Sequence, residues 1–315
     1  MLSNQVKGGI FGCISAISYA MNPLCAINLY QDGINSNTVL FYRFLIGSLI
    51  LGCIMLIKKT DFSITRREAA VLALLGCIFA VSSLTFFLSF HHMGAGLAAT
   101  LVFAYPVFVA VLMAIFFKEC LMLPSLLAIG LTMSGIGLLY EGNGSNPITP
   151  SGIAIIMLSA LAYALYIIVV NRSGIVMSSV KLTFYVMLSC LCCIVLYATL
   201  TSTGSLQLLS TGREWFYAIL LGIVPTVISL VTMTMAIRYI GSTPTAIMGA
   251  LEPVTAVLIG YFVFGEPLTA RLVWGVGFIL VSVMLIILDA QIRRALSQSK
   301  IVRRGRIILK RTHWR

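Results

Sequence analysis

Charged side chains are scarce in this chain. They make up 10% of its 315 residues, and only nine are aspartate or glutamate. A soluble domain carries about 25% charged residues. The shortage excludes a water-facing surface over most of the molecule, and no stretch is polar enough to form a soluble domain. The phosphate-cradling pattern GxxxxGK[ST] is missing too, which excludes ATP as a direct driver. With three histidines, no zinc motif and no Ser/His/Asp constellation, hydrolytic chemistry has no footing and no cofactor is called for. The eight cysteines (Cys13, Cys25, Cys53, Cys77, Cys120, Cys190, Cys192 and Cys193) include no set with metal-ligand spacing to a histidine. They read as small side chains compatible with lipid, not as disulfides or metal ligands.

What fills the chain instead is hydrophobic sequence, 60% of all residues. A bilayer core needs about 20 apolar residues per helix. Runs of that kind lie near 9–30, 37–57, 70–90, 95–117, 122–140, 151–171, 180–201, 215–237, 242–264 and 269–288. The runs are continuous and not alternating, which predicts helices and not barrel strands. The first run lacks a small-x-small cleavage site and reads as a retained helix.

A net charge of +12 would in a soluble protein suggest a nucleic-acid partner. Its distribution excludes that reading. Nine of the 21 lysines and arginines lie after Asp289, and most others sit in gaps between apolar runs. With the N-terminus inside, Lys7, Lys58, Lys59, Arg66, Arg67, Lys118, Arg172, Lys181 and Arg238 join the tail there, against Arg43, Arg213 and Arg271 outside. The positive-inside rule then predicts a multi-pass protein of the bacterial inner (plasma) membrane with both termini cytoplasmic. Its partners are membrane lipids, and the basic 289–315 tail reads as a cytoplasmic anchor on anionic lipid.

The chain also repeats itself. Shifted by 147 residues, Gly94 falls on Gly241, Pro106 on Pro253, Glu119 on Glu266 and Gly130 on Gly277. Earlier pieces match at nearly the same offset: Ala16–Ala20 resembles Ala160–Ala164. The expectation is an all-α integral membrane fold of ten transmembrane helices in two inverted five-helix repeats, residues 1–140 and 151–288. Five is odd, so two copies in series cross the membrane in opposite senses. Such repeats place a site at their interface near mid-bilayer and allow alternating access by rocking one half on the other.

Glu252-Pro253 within a late helix, Gly265-Glu266-Pro267 after it and the Gly-rich Leu272–Gly277 that follows resemble the EamA family of the drug/metabolite transporter superfamily. The first repeat carries a weaker form, Tyr105-Pro106 and Lys118-Glu119. The resemblance implies a ten-helix bundle with a central cavity lined chiefly by helices 1, 3, 4, 6, 8 and 9. It also implies a secondary transporter for a small-molecule substrate, with export of amino acids or related small metabolites. The carboxylate of Glu252 has Tyr105 as its counterpart, so its role in other members does not transfer automatically. A translocase of a lipid-linked intermediate and an integral-membrane enzyme are the competing classes; the second lacks a catalytic polar cluster.

The residues expected along the substrate pathway are Tyr19, Asn22, Arg43, Phe87, Tyr105, Tyr163, Tyr166 and Glu252. An ionised carboxylate in mid-span costs at least about 2.5 kcal/mol, so Glu252 is read as a substrate-amine or proton-coupling site, or as a structural acid. Arg43 can snorkel to the outer headgroups or turn inward to a carboxylate. Buried phenols need partners, and a shared polar cavity would supply them. Pro23, Pro106 and Pro253 predict helix interruptions. Gly94 and Gly241 predict tight connections of positive φ, with Gly241 leading into Thr243-Pro244. His91 and His92, adjacent on a helix, do not share a face for a metal.

Overall fold

The computed structural model describes residues 4–118, 123–140, 149–175, 177–200, 205–240, 245, 248–285 and 287–288. The described residues are helices and their connections, with no strand among them. In order they are α1 (Asn4–Ala20), α2 (Asn22–Gln31), α3 (Ser36–Ile57), α4 (Arg66–Ser89), α5 (Ala95–Val102), α6 (Tyr105–Phe117), α7 (Leu123–Tyr140), α8 (Pro150–Arg172), α9 (Ser179–Leu200) and α10 (Gly212–Gly222). A π-helical segment, Ile223–Ile228, joins α10 to α11 (Ser229–Ile240), and α12 (Leu251–Phe264) follows. The last is α13 (Ala270–Leu285).

Seven stretches are long and apolar enough to cross a membrane. They are Asn4–Gln31, Ser36–Ile57, Arg66–Ser89, Gly96–Phe117, Pro150–Val170, Ser179–Leu200 and Gly212–Ile237. Three shorter apolar helices, Leu123–Leu139, Leu251–Phe264 and Ala270–Leu285, lie in the remaining expected runs. The chain is a multi-pass membrane protein. Large apolar side chains such as Phe117, Phe262 and Trp274 stand exposed on its outside, where lipid takes the place of water. Gly241, Glu119, Cys120 and the 289–315 tail lie outside the described residues.

Helix ends follow the polar residues in the gaps. Asn35 accepts from Thr38 N at 2.8 Å and Thr149 from Gly152 N at 3.2 Å. Thr65 with Glu68 and Thr211 with Glu214 form capping boxes. Gly265, at φ 66°, ends α12 in the left-handed conformation that glycine adopts without a steric cost. In the α3–α4 connection, the Ser63 hydroxyl and amide both donate to Asp61, which holds that carboxyl below its usual range.

Packing is dominated by pairs far apart in sequence. α1 lies along α11, α4 along α8 and α9, α3 along α9 and α10, and α5 across α12. The α4–α9 approach depends on Gly76: a Cβ there would lie 2.2 Å from the Ser189 Cβ and 3.1 Å from the Ser189 carbonyl carbon. Small residues allow such close backbones in lipid. Gly76→Leu is therefore expected to force the helices apart and cost about 1–3 kcal/mol, read as a lower thermal midpoint in detergent. An unchanged midpoint would mean the contact is loose. One turn away, the free thiols of Cys77 and Cys193 touch, with sulfurs 3.2 Å apart.

Both ends of the bundle carry polar ties between distant segments. At one end Gln207 bonds Asn35 N, Thr38 Oγ1 and the Gly33 carbonyl, while Arg213 pairs with Asp32 at 3.4 Å. At the other, Lys181 donates to the Ser63 carbonyl and Tyr185 to that of Phe62.

Candidate functional site

Four helices are irregular in their middles, and proline accounts for the position of each irregularity. The α1–α2 break falls at Met21, just ahead of Pro23. The α5–α6 break covers Phe103 and Ala104, just ahead of Pro106. α12 begins after a turn at Ala250, just ahead of Pro253. Proline lacks a backbone donor and suits a first helical turn, so each helix restarts at its proline instead of running through it. The fourth irregularity is the π segment around Pro225, where Thr226 Oγ1 donates to the Leu221 carbonyl at 3.0 Å. Such π turns arise where the usual i→i−4 ladder is broken, often at functional sites.

These irregularities surround a cavity of about 600 Å³. Its walls come from α1, α4, the α5–α6 break with α6, α8, α9, the π segment with α11 and the start of α12, joined by Arg43 of α3, Ser125 of α7 and Val283 of α13. It runs from the middle of the bundle toward the end where α1 begins, past Gly12, Met113, Ile237, Thr245 and Ile287. No wall residue comes from the first two turns of α8 or α10, at the opposite end.

Two charged groups sit in this cavity. Arg43 on α3 is 3% exposed. Its Nε donates to Thr226 Oγ1 at 3.3 Å, and its guanidinium lies 5.3 Å from the centre of the Phe87 ring. Glu252 is half-buried, in the first turn of α12, where the helix dipole favours a negative charge. Among the described residues its carboxyl has no hydrogen-bond partner, and it forms no ion pair with Arg43. Tyr19 lines the same cavity, on α1. An aromatic wall completes the site. Tyr105 meets Tyr163 edge-on at 4.7 Å, Tyr163 stacks on Tyr166 at 6.0 Å, and Phe79 contacts both of the latter.

Of the residues expected on the pathway, Tyr19, Arg43, Tyr105, Tyr163, Tyr166 and Glu252 share this cavity, together with Pro106. Asn22 and Phe87 are not on its wall. Asn22 is turned into the α1–α2 break, donating to the Tyr19 carbonyl at 2.8 Å, and its Oδ1 is buried without a partner. Phe87 stands behind Arg43 and is fully buried. The snorkelling alternative for Arg43 fails, because its side chain is enclosed by protein and not directed at headgroups.

Pro23 and Pro253 mark breaks without lining the cavity. Gly94 does not use a positive φ: it sits at φ −62°. It is small for another reason, since a Cβ there would lie 2.7 Å from the Glu266 carboxyl carbon. That carboxylate accepts from Gly96 N at 3.3 Å, at the start of α5. His91 stacks on Tyr30 at 4.4 Å and bonds Ser36, and no metal-ligand cluster occurs among the described residues.

Six of the wall residues had no signal of their own in the sequence, four of them serines. Ser15 donates to the Ser229 carbonyl at 2.8 Å and Ser229 donates back to the Ser15 carbonyl at 3.1 Å. Ser82 and Ser159 do the same, at 3.0 and 2.7 Å. Their hydroxyl protons are therefore engaged across helix pairs and not offered to the cavity. Thr226 and Phe79 were likewise unmarked.

A model of the EamA-like transporter family matches residues 6–141 and 150–288. The chain is similar to an uncharacterized transporter of Archaeoglobus fulgidus, 29% identical over 195 residues, covering 60% of this chain and 66% of that one. It is also similar to the uncharacterized transporter YcbK of Bacillus subtilis, 24% identical over 285 residues, covering 88% and 91%. One crystal structure superposes with a TM-score of 0.66 over 90% of this chain and 97% of its own, at 16% identity. That last likeness concerns the fold alone.

Proposed function

The chain belongs to the EamA-like transporter family, and on that premise we propose that it is a secondary carrier of amino acids or related small metabolites that works by alternating access. The observation that carries this reading is the pairing of Glu252 and Arg43 in one cavity. Among the described residues the carboxyl has no partner, and the guanidinium has one neutral bond. A solute with an ammonium and a carboxylate would supply both missing partners. Charged groups in a membrane interior are costly unless paired, and a solute of that kind offsets the cost for both. The aromatic wall offers an apolar face for the rest of the solute.

The architecture proposed with it is ten spans in two inverted repeats, residues 1–140 and 151–288, in a bacterial inner membrane with both termini cytoplasmic. Its support is that the helix contacts come in matching sets. α1 against α11 corresponds to α4 against α8, and α6 against α8 corresponds to α1 against α12. The α3–α9 contact corresponds to itself. A cavity that extends toward one end of the bundle fits one of the two alternating states, and on this topology that end is cytoplasmic, as loading for export requires. No residue is assigned a catalytic role.

The test is uptake of labelled amino acids into proteoliposomes. Saturable uptake, competed by unlabelled amino acid and absent from protein-free vesicles, is expected. Flipping of a labelled polyprenyl-phosphate lipid with no amino-acid flux would replace this reading with that of a lipid translocase.

A further inference from the structure

We infer that the moving bodies of this carrier are not its two sequence halves but two intertwined units, α1 with α11 and α4 with α8, each fastened by a reciprocal pair of serines. The inference rests on the transport reading and identifies Ser15, Ser229, Ser82 and Ser159 as positioning residues.

The usual partner of a serine or threonine hydroxyl in a membrane helix is a carbonyl of its own helix, as when Thr85 donates to Val81 at 2.8 Å. The four serines do otherwise. Each reaches the backbone of the neighbouring helix, and each bond is returned. Two opposed bonds to main-chain atoms fix both the separation and the relative rotation of two helices, which a single side-chain contact does not. The α1–α11 approach is close elsewhere too: a Cβ at Gly8 would lie 2.4 Å from the Ile240 Cγ2.

The two fastenings are counterparts under the internal repeat. Ser15 maps to Ser159 at an offset of 144, and Ser82 to Ser229 at 147. Each joins a helix of the first half to a helix of the second. Rocking one half against the other would have to break all four bonds. Moving the α1–α11 unit against the α4–α8 unit breaks none. The cavity lies between these units, with Tyr19 and Thr226 on one side and Phe79 and Tyr163 on the other. Where α1, α5 and α12 meet across the seam, the contact is made by Ala20, Ala99 and Ala256. Small side chains without polar bonds allow helices to shift there.

In a cysteine-free background, Ser15→Cys with Ser229→Cys, and Ser82→Cys with Ser159→Cys, place thiols where hydroxyls now stand 3.3 and 3.5 Å apart. After oxidation by copper phenanthroline, with cross-linking verified by peptide mass, proteoliposome transport is expected to stay within about twofold of the reduced protein. Ala20→Cys with Ala99→Cys ties α1 of one unit to α5, which packs against α8 of the other, and is expected to reduce transport at least tenfold when oxidised, with recovery on reduction. A tenfold, reductant-reversible loss in either serine-site pair overturns the inference. A second readout separates it from the transport reading: a single cysteine at Ala110, on the cavity wall, labelled by impermeant maleimide from each face. Labelling from both faces with the serine-site cross-link in place supports the two units, whatever the solute. Labelling frozen to one face by that cross-link overturns them. Absence of solute flux in the reduced protein bears on the transport reading alone.

Discussion

Glu252→Gln is expected to abolish accumulation driven by a pH gradient while solute exchange between the two sides of the membrane survives. The neutral amide keeps the shape of the carboxyl and its place in the first turn of α12 but cannot gain or lose a proton. We propose that the carboxyl is occupied in turn by a proton and by the solute ammonium, which ties the two movements together. Exchange needs only the loaded form to cross, so it tolerates a fixed protonation state. Gradient-driven accumulation should fall at least tenfold, measured as labelled solute retained in vesicles with an imposed pH difference. Accumulation equal to that of the unmodified protein would remove Glu252 from coupling. Loss of exchange as well would show that holding the solute ammonium needs the full negative charge and not only the shape of the group.

Substitution of Arg43 is expected to have the second large effect, and one that depends on the solute. A hydrogen bond to a charged group contributes about 1.5–3 kcal/mol, so losing one raises the half-saturation concentration about 10- to 150-fold at about 1.4 kcal/mol per tenfold. Arg43→Met should produce that rise for solutes bearing a carboxylate. Arg43→Lys should do little better. A single ammonium cannot bond Thr226 and a solute carboxylate as a planar guanidinium does, and it gives up the stack on Phe87. An amine of the same body without its carboxylate should compete equally well in the variants and the unmodified protein. Equal weakening of both competitors would show that Arg43 supports the cavity and does not recognise the solute.

The charged centre of this site was readable before any coordinates, because Glu252 and Arg43 stand out in apolar runs and Tyr105 and Tyr163 are polar tips at depth. Their convergence on one cavity follows from the duplicated Tyr105-Pro106 and Glu252-Pro253 pairs, which interrupt two helices at corresponding heights. Asn22 and Phe87 were expected with them on the same reasoning and lie elsewhere. A break shifts the rotation of the residues after it, and the sequence carries no measure of that shift at Met21. Phe87 differs from its cavity-lining neighbour Phe86 only in helical phase. The serine pairs were invisible for a different reason. Serine is ordinary in a membrane helix and bonds its own backbone by default, so nothing in spacing announces a hydroxyl that reaches across. Gly94 suggests a turn of positive φ by sequence, when the constraint on it is the volume taken by Glu266, 172 positions later in the chain.

The π-helical stretch at Ile223–Ile228 has a consequence for phase. A π turn holds one residue more than an α turn, and each α-helical residue advances the azimuth by about 100°. Everything downstream is therefore turned by roughly one residue relative to an uninterrupted coil. Ser229 begins the regular helix that follows, so its alignment with Ser15 is a product of that extra residue. In this sense the segment acts as a vernier: the surplus residue at Pro225 and Thr226 supplies Arg43 with its acceptor and also dials the next helix into register with its neighbour.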